Sequence, residues 1–191
     1  SAFQYSLFAF ANLFVQSSVN SFDHVLVEGN SAAANADPLV YDMMAAFYTA
    51  CSSFIAQNFG ARKKKRILQT YLICLFYSFI TSLVLGVGIY LARYPFLYLF
   101  TSDKAVVEAG ITRLSIMALS YSASAFMDAS IAASRGLGKT AVPTFVVVMG
   151  SCVFRIIWIY TIFAYFHTIQ SLYILYVFSW GITAIAENIY F

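Results

Sequence analysis

The stretch ILQTYLICLFYSFITSLVLGVGIYLA, Ile67–Ala92, runs for 26 residues without a charged side chain. A helix needs ~20 mostly apolar residues to cross the hydrocarbon of a bilayer, and the core helices of soluble domains show shorter apolar runs. Both ends are marked: Arg62, Lys63, Lys64, Lys65 and Arg66 stand before it and Arg93 follows. The run reads as a membrane span and sets the scale for the rest of the chain.

Outward from it, the other charge-poor intervals repeat the pattern. Ser1–Phe22 and Met43–Ala61 carry no charge, with Pro38 placed where a helix can start. Leu114–Ser134 holds only Asp128, Thr140–Phe166 holds only Arg155, and Thr168–Ala186 holds none. The runs are continuous and lack the apolar–polar alternation of barrel strands, so they are helices. The expected fold is an all-α membrane protein of six transmembrane helices, spanning about 2–24, 38–60, 67–92, 107–134, 141–166 and 169–190. Composition agrees: of 191 residues 61% are hydrophobic and 10% charged, and the mean hydropathy is +0.78. Soluble domains are ~25% charged, and so apolar a chain could not cover a water-facing surface.

Net charge is +3, yet five of the eleven basic residues sit at Arg62–Arg66. The surplus is therefore local, and no nucleic-acid surface is expected. Arg135 and Lys139 form a second basic loop two crossings later, so both basic loops lie on one face. Short cytoplasmic loops collect Lys and Arg, which puts that face and both termini in the cytoplasm. The Arg62–Arg66 cluster reads as an orientation anchor before a site for anionic lipid. On the opposite side Tyr90, Tyr94, Phe96, Tyr98 and Phe100 suit a short interfacial segment, with Thr101-Ser102-Asp103 capping the next helix. Cys51, Cys74 and Cys152 are widely spaced within apolar stretches and read as buried thiols. Residues 1–22 lack the basic start and cleavage pattern of a removable signal.

Ionisable and amide groups inside spans are the candidate site residues. At ~1.5 Å per helical residue, Asp42 stands roughly 30 Å and Arg155 about 24 Å from the cytoplasmic ends of their helices, so a charge pair between them is expected. Asp128, roughly 10 Å from the inner surface by the same rise, does not match Arg155 in depth. For Asp42 and Asp128 two roles stand open, ion-coupled transport and structural hydrogen bonding; Arg155 reads first as structural. Glu187 is expected to be wet, at the inner end of the last span. Asn12, Gln16 and Asn20, spaced by four, share a helix face that is either interhelical glue or the wall of an aqueous cavity.

Several motifs fail. Gly136-Leu137-Gly138-Lys139-Thr140 ends like a phosphate loop, but Ala133 stands where that motif needs glycine. His24 and His167 have no HExxH or CxxC context, and no GxSxG elbow occurs, so neither a metal, a cofactor nor an enzyme is expected.

Asn30-Ser31-Ala32-Ala33-Ala34, Ala46-Phe47-Tyr48, Gln57-Asn58-Phe59-Gly60-Ala61-Arg62 and Arg66-Ile67 resemble the seventh and eighth helices of bacterial MATE transporters, the multidrug and toxic compound extrusion proteins. Arg135-Gly136-Leu137-Gly138-Lys139 with Pro143 resembles the loop after the tenth helix, and Gly150 with Arg155-Ile156-Ile157-Trp158 the eleventh. The resemblance covers nearly the whole chain. It implies a fold of twelve helices in two lobes, of which this chain is the C-terminal one, its partner being an N-terminal six-helix lobe. It also implies export of small amphipathic or cationic organic compounds across a bacterial cytoplasmic membrane by alternating access, coupled to sodium or protons. Asp128 falls where similar sequences carry an acid before the RGxG loop. The carboxylate that some members bear in the seventh helix is replaced by Phe8-Ala9-Phe10-Ala11-Asn12. The rival readings are a lipid-linked oligosaccharide flippase of the same superfamily and a non-transporting membrane scaffold.

Overall fold

The computed structural model describes residues 2–191, with side chains from Ser6 onward. Its helices are α1 (Ala2–Val19), α2 (His24–Ala34), α3 (Ala36–Gly60), α4 (Lys64–Leu91), α5 (Arg93–Tyr98), α6 (Lys104–Gly136), α7 (Ala141–Phe166) and α8 (Ile169–Tyr190). No strand occurs among the described residues. Five helical runs are long and apolar enough to cross a membrane: His24–Gly60, α4, α6, α7 and α8; Ser6–Val19 within α1 is apolar but shorter.

The solvent these helices are built for is legible on α4. Its buried residues are Tyr71, Ser78, Ser82 and Gly86, while Leu72, Ile73, Phe76, Tyr77, Val84 and Leu91 are exposed. In water this arrangement would be inside-out. In lipid it is expected, because packing between helices is driven by close approach of small residues rather than by burial of oil. Ser78, Ser82 and Gly86 recur every four residues and therefore form one stripe, which lies on α6.

Helix α6 is the mast of the fold: α2, α3, α4, α5 and α8 all pack along it. Helix α1 instead leans on α7, and this pair joins the rest chiefly through α8. The Asp103 carboxylate caps α6 by accepting from the Ala105 N–H at 2.8 Å. Near the C-terminal end of α8 the Tyr71 hydroxyl ties three helices together, lying 3.0 Å from the Ser130 hydroxyl and donating to the Asn188 side chain. Helix α7 is wound as a π-helix over Val148–Val153 and again over Ile159–Phe163. Left-handed residues end two helices, Arg62 (φ 55°) after α3 and His167 (φ 50°) after α7.

Three expectations need correction. The first helix stops at Val19 rather than near residue 24, where the Asn20 N–H bonds the Gln16 carbonyl and a turn follows. The second span begins at His24, not 38, because α2 and α3 form one bent run of 37 residues. At ~1.5 Å per residue this run is roughly 55 Å long against a hydrocarbon core of ~30 Å, so it must tilt and bend. Polar groups do not end this run: at the bend the Asn35 amide donates to the Ser31 and Ala32 carbonyls, both at 3.1 Å. Finally, Glu187 is not wet; it is 0% exposed, and neither carboxylate oxygen has a hydrogen-bond partner among the described residues. Cys51 and Cys152 are buried and Cys74 half-buried, all free thiols.

Candidate substrate cavity

The α2–α3 run brings Asn30, Ala34, Asp37 and Tyr41 to one face, since steps of three and four residues repeat a helical azimuth. That face meets α1, α6, α7 and α8 around a cavity of about 600 Å³. Its polar wall consists of Asn12 and Gln16 from α1, Asn30 and Asp37, Arg113, Ser124 and Asp128 from α6, and Arg155 from α7. Phe8, Tyr41, Tyr173, Tyr176 and Trp180 supply aromatic surface. Concave, largely apolar sites with a few convergent polar groups are the usual form of a small-molecule pocket.

Within this wall one charge pair is closed. The Arg113 guanidinium, 6% exposed, donates through Nη2 to Asp37 Oδ2 and through Nη1 to the Asn30 carbonyl at 2.9 Å. The other Asp37 oxygen accepts from the Tyr121 hydroxyl at 2.6 Å. Four groups from two helical runs thus neutralise and saturate one another inside the fold.

Arg155 is held differently. Its Nη1 donates to Asn12 Oδ1 at 3.0 Å, its Nε to the Ser179 hydroxyl at 3.4 Å, and its guanidinium lies 4.5 Å from the centre of the Tyr176 ring. The Ser179 hydroxyl in turn donates to the Gly150 carbonyl at 2.9 Å, in the first π-wound stretch. Arg155 is 3% exposed, and among the described residues no carboxylate pairs with it. Asp128 is partly buried; among the described residues it accepts only a long 3.5 Å hydrogen bond from Ser124, and no cation pairs with it. Asp128 also lines a second cavity of about 440 Å³, which shares Phe8, Tyr41 and Met127 with the first and reaches Tyr48 and Arg135. The Arg135 guanidinium donates to the Tyr48 hydroxyl at 2.8 Å at that end.

Of the residues the sequence singles out, Asn12, Gln16, Asp128 and Arg155 converge on the cavity, and Asn20 and Asp42 do not. Asn20 lies beyond the end of α1, exposed, and accepts from the Gln16 amide at 2.9 Å. Asp42 is exposed, and the expected Asp42–Arg155 pair does not form. Asp42 follows Asp37 by five residues, which turns it by about 140° and aims it away from the cavity. Asp42→Asn is accordingly expected to change thermal stability by no more than ~0.5 kcal/mol, as for surface substitutions, measured by unfolding in detergent. The pair that does form, Asp37 with Arg113, is absent from the sequence-based candidates. The signal for it is the spacing Asn30–Asp37–Tyr41, a polar face continuing through an interval that the charges seemed to close.

Comparison with known proteins identifies the framework. Two structures of the Vibrio cholerae MATE transporter VcmN superpose on the fold. One is in the bent form, with a TM-score of 0.83 and 19% identity over 98% of this chain and 42% of that one. The other is a point mutant, with a TM-score of 0.81 and 20% identity over 95% of this chain and 41% of that one. A MOP superfamily transporter from Pyrococcus furiosus, described as having a binding pocket of reverse polarity that suggests a different function, gives a TM-score of 0.78 and 20% identity over 98% of this chain and 41% of that one. The chain thus spans about two fifths of the length of each of these structures and has the fold of one of their lobes. A search of curated proteins matches none. The MatE family matches residues 1–161, and the chain, an all-helical membrane lobe with a charged internal cavity, belongs to that family.

Proposed function

We propose that this chain is the C-terminal lobe of a secondary active exporter of small amphipathic organic compounds. It works by alternating access against a second, N-terminal six-helix lobe and is driven by a sodium or proton gradient. The observation that carries this reading is the 600 Å³ cavity, in which charged and amide side chains from four helical runs converge inside a lipid-facing shell. Ionisable groups in spans mark substrate and ion pathways. Binding sites of such transporters lie between repeats near the bilayer midplane. Asp128 is the coupling residue in this scheme, because it stands on the wall common to both cavities and carries no cationic partner. The basic loops Arg62–Arg66 and Arg135–Lys139 support an orientation with both termini in the cytoplasm, and the membrane proposed is the bacterial inner one.

In proteoliposomes containing the transporter that carries this lobe, Asp128→Asn is expected to reduce gradient-driven efflux at least tenfold while leaving the protein folded. Efflux that keeps its dependence on the ion gradient in the variant would remove Asp128 from the coupling. Gradient-driven transport by this lobe alone, reconstituted as a proven monomer, would overturn the need for a second lobe. The flippase reading anticipates several cations on the cavity wall. Arg113 does join Arg155 there, but Asp37 neutralises it, so one uncompensated cation remains and small-molecule export is favoured.

A further inference from the structure

The charges of the large cavity do not cancel pairwise. Arg113 and Asp37 are locked to each other, whereas Arg155 meets only neutral partners and Asp128 only the Ser124 hydroxyl. One cation and one anion therefore face the same 600 Å³ space without a counter-charge, from different helices and not within ion-pair distance of each other. Uncompensated charge in a low-dielectric site is unfavourable, and a bound molecule that supplies the missing opposite charges relieves it at both positions. A third group faces the same space unused: Tyr173 lines the cavity at 2% exposure and its hydroxyl has no hydrogen-bond partner among the described residues.

From this arrangement we infer that the cavity takes a zwitterion. Its anionic group lies against the Arg155 guanidinium, its ammonium lies against the Asp128 carboxylate, and an apolar body between them rests on Tyr41 and Trp180. Arg155 suits the first role because the guanidinium offers a planar fork of donors to a carboxylate or phosphate. Asp128 suits the second because a carboxylate with one long hydrogen bond keeps acceptor capacity for an ammonium. A simple organic cation would leave Arg155 uncompensated, and a simple anion would leave Asp128 so. The inference names the substrate class for the transport site and rests on that reading of the cavity.

The test uses the chain in nanodiscs of phosphatidylglycerol and three probes built on one naphthalene core. The first carries an aminomethyl group at one end and a carboxylate at the other, the second is its methyl ester, and the third its N-acetyl derivative. Fluorescence anisotropy of the core reports binding. The amino acid is expected to bind about tenfold or more tightly than either derivative, the effect of one charge-assisted contact. Arg155→Gln should bring the amino acid down to the affinity of the ester while leaving the ester unchanged, an outcome that misfolding cannot produce. Asp128→Asn should bring it down to that of the N-acetyl compound. Equal binding of the ester and the amino acid, equal binding of the N-acetyl compound and the amino acid, or no binding of any probe overturns the assignment without needing a variant. Repeating the titration in phosphatidylethanolamine separates two sources of the same chemistry: weaker probe binding identifies the lipid headgroup as the natural zwitterion, and unchanged binding a soluble compound. Gradient-driven efflux by the full transporter with no preference among the probes would leave the transport reading standing and this one fallen.

Discussion

Asp37→Ala is expected to destabilise the lobe by about 3 kcal/mol or more, the loss typical of breaking a buried ion pair from one side. The carboxylate answers the Arg113 guanidinium with one oxygen and the Tyr121 hydroxyl with the other. Its removal leaves a 6% exposed cation with the Asn30 carbonyl but no counter-charge, and takes the acceptor from the buried Tyr121 hydroxyl. Arg113→Ala should be similarly damaging, since the Asp37 charge is then left on the cavity wall without its cation. The double variant Asp37→Ala/Arg113→Ala should lose less than the sum of the two, because no charge remains to be solvated. Thermal unfolding in detergent with near-ultraviolet circular dichroism measures all three. A single-variant loss below about 1 kcal/mol would mean that water reaches the pair freely, as at exposed salt bridges.

The second large effect is steric. A Cβ added at Gly86 would fall inside the van der Waals envelope of the Ala118 carbonyl oxygen, which belongs to the backbone of α6 and has nowhere to go. Gly86→Ala therefore has to push α4 off α6 along the Ser78–Ser82–Gly86 stripe. Overpacking of this kind typically costs 1–3 kcal/mol, and a rigid obstacle favours about the upper figure. Gly88→Ala is the matched control: nothing lies within 4 Å of its Cβ, and both glycines are in the same helix. Exchange of Gly for Ala at an open helical site should if anything stabilise, by up to about 1 kcal/mol. Comparing folded yield and melting temperature of the two variants decides the matter; equal behaviour would show that the α4–α6 contact is looser than drawn.

Much of this architecture is legible in the residues, and where it is not the reason is physical. Spans three to six announce themselves because their apolar runs are interrupted by at most one charge. The beginning of the chain does not, since a rule that ends a span at each charge assumes every charge must reach water. Asp37 and Arg113 break that rule together: each removes the other's need for solvent, so both helices continue past them. Depth alone suggested Asp42 as the partner of Arg155, but depth fixes only one cylindrical coordinate of a residue. Azimuth, read from the Asn30–Asp37–Tyr41 face, excludes Asp42 and selects Asp37 for the cavity instead. The amide stripe shows the same lesson in milder form, with Asn12 and Gln16 on the cavity and Asn20 past the helix end. Glu187 is not legible as a buried group because α8, which carries it, packs along α6, a helix distant in sequence.

Helices α1 and α7 stand as an outrigger beside the mast group, joined to it mainly along α8. Asn12 and Arg155 ride on the outrigger, while Asp37, Arg113 and Asp128 ride on the mast group. A small slide of the outrigger along α8 would leave the Asp37–Arg113 clasp untouched, because both its halves travel on one body. The same slide would lengthen or shorten the gap between Arg155 and Asp128, which travel on two. Under the binding proposed above, the lobe would act as a calliper with a fixed jaw and an adjustable one, the length of molecule it takes being set by how those two bodies are seated.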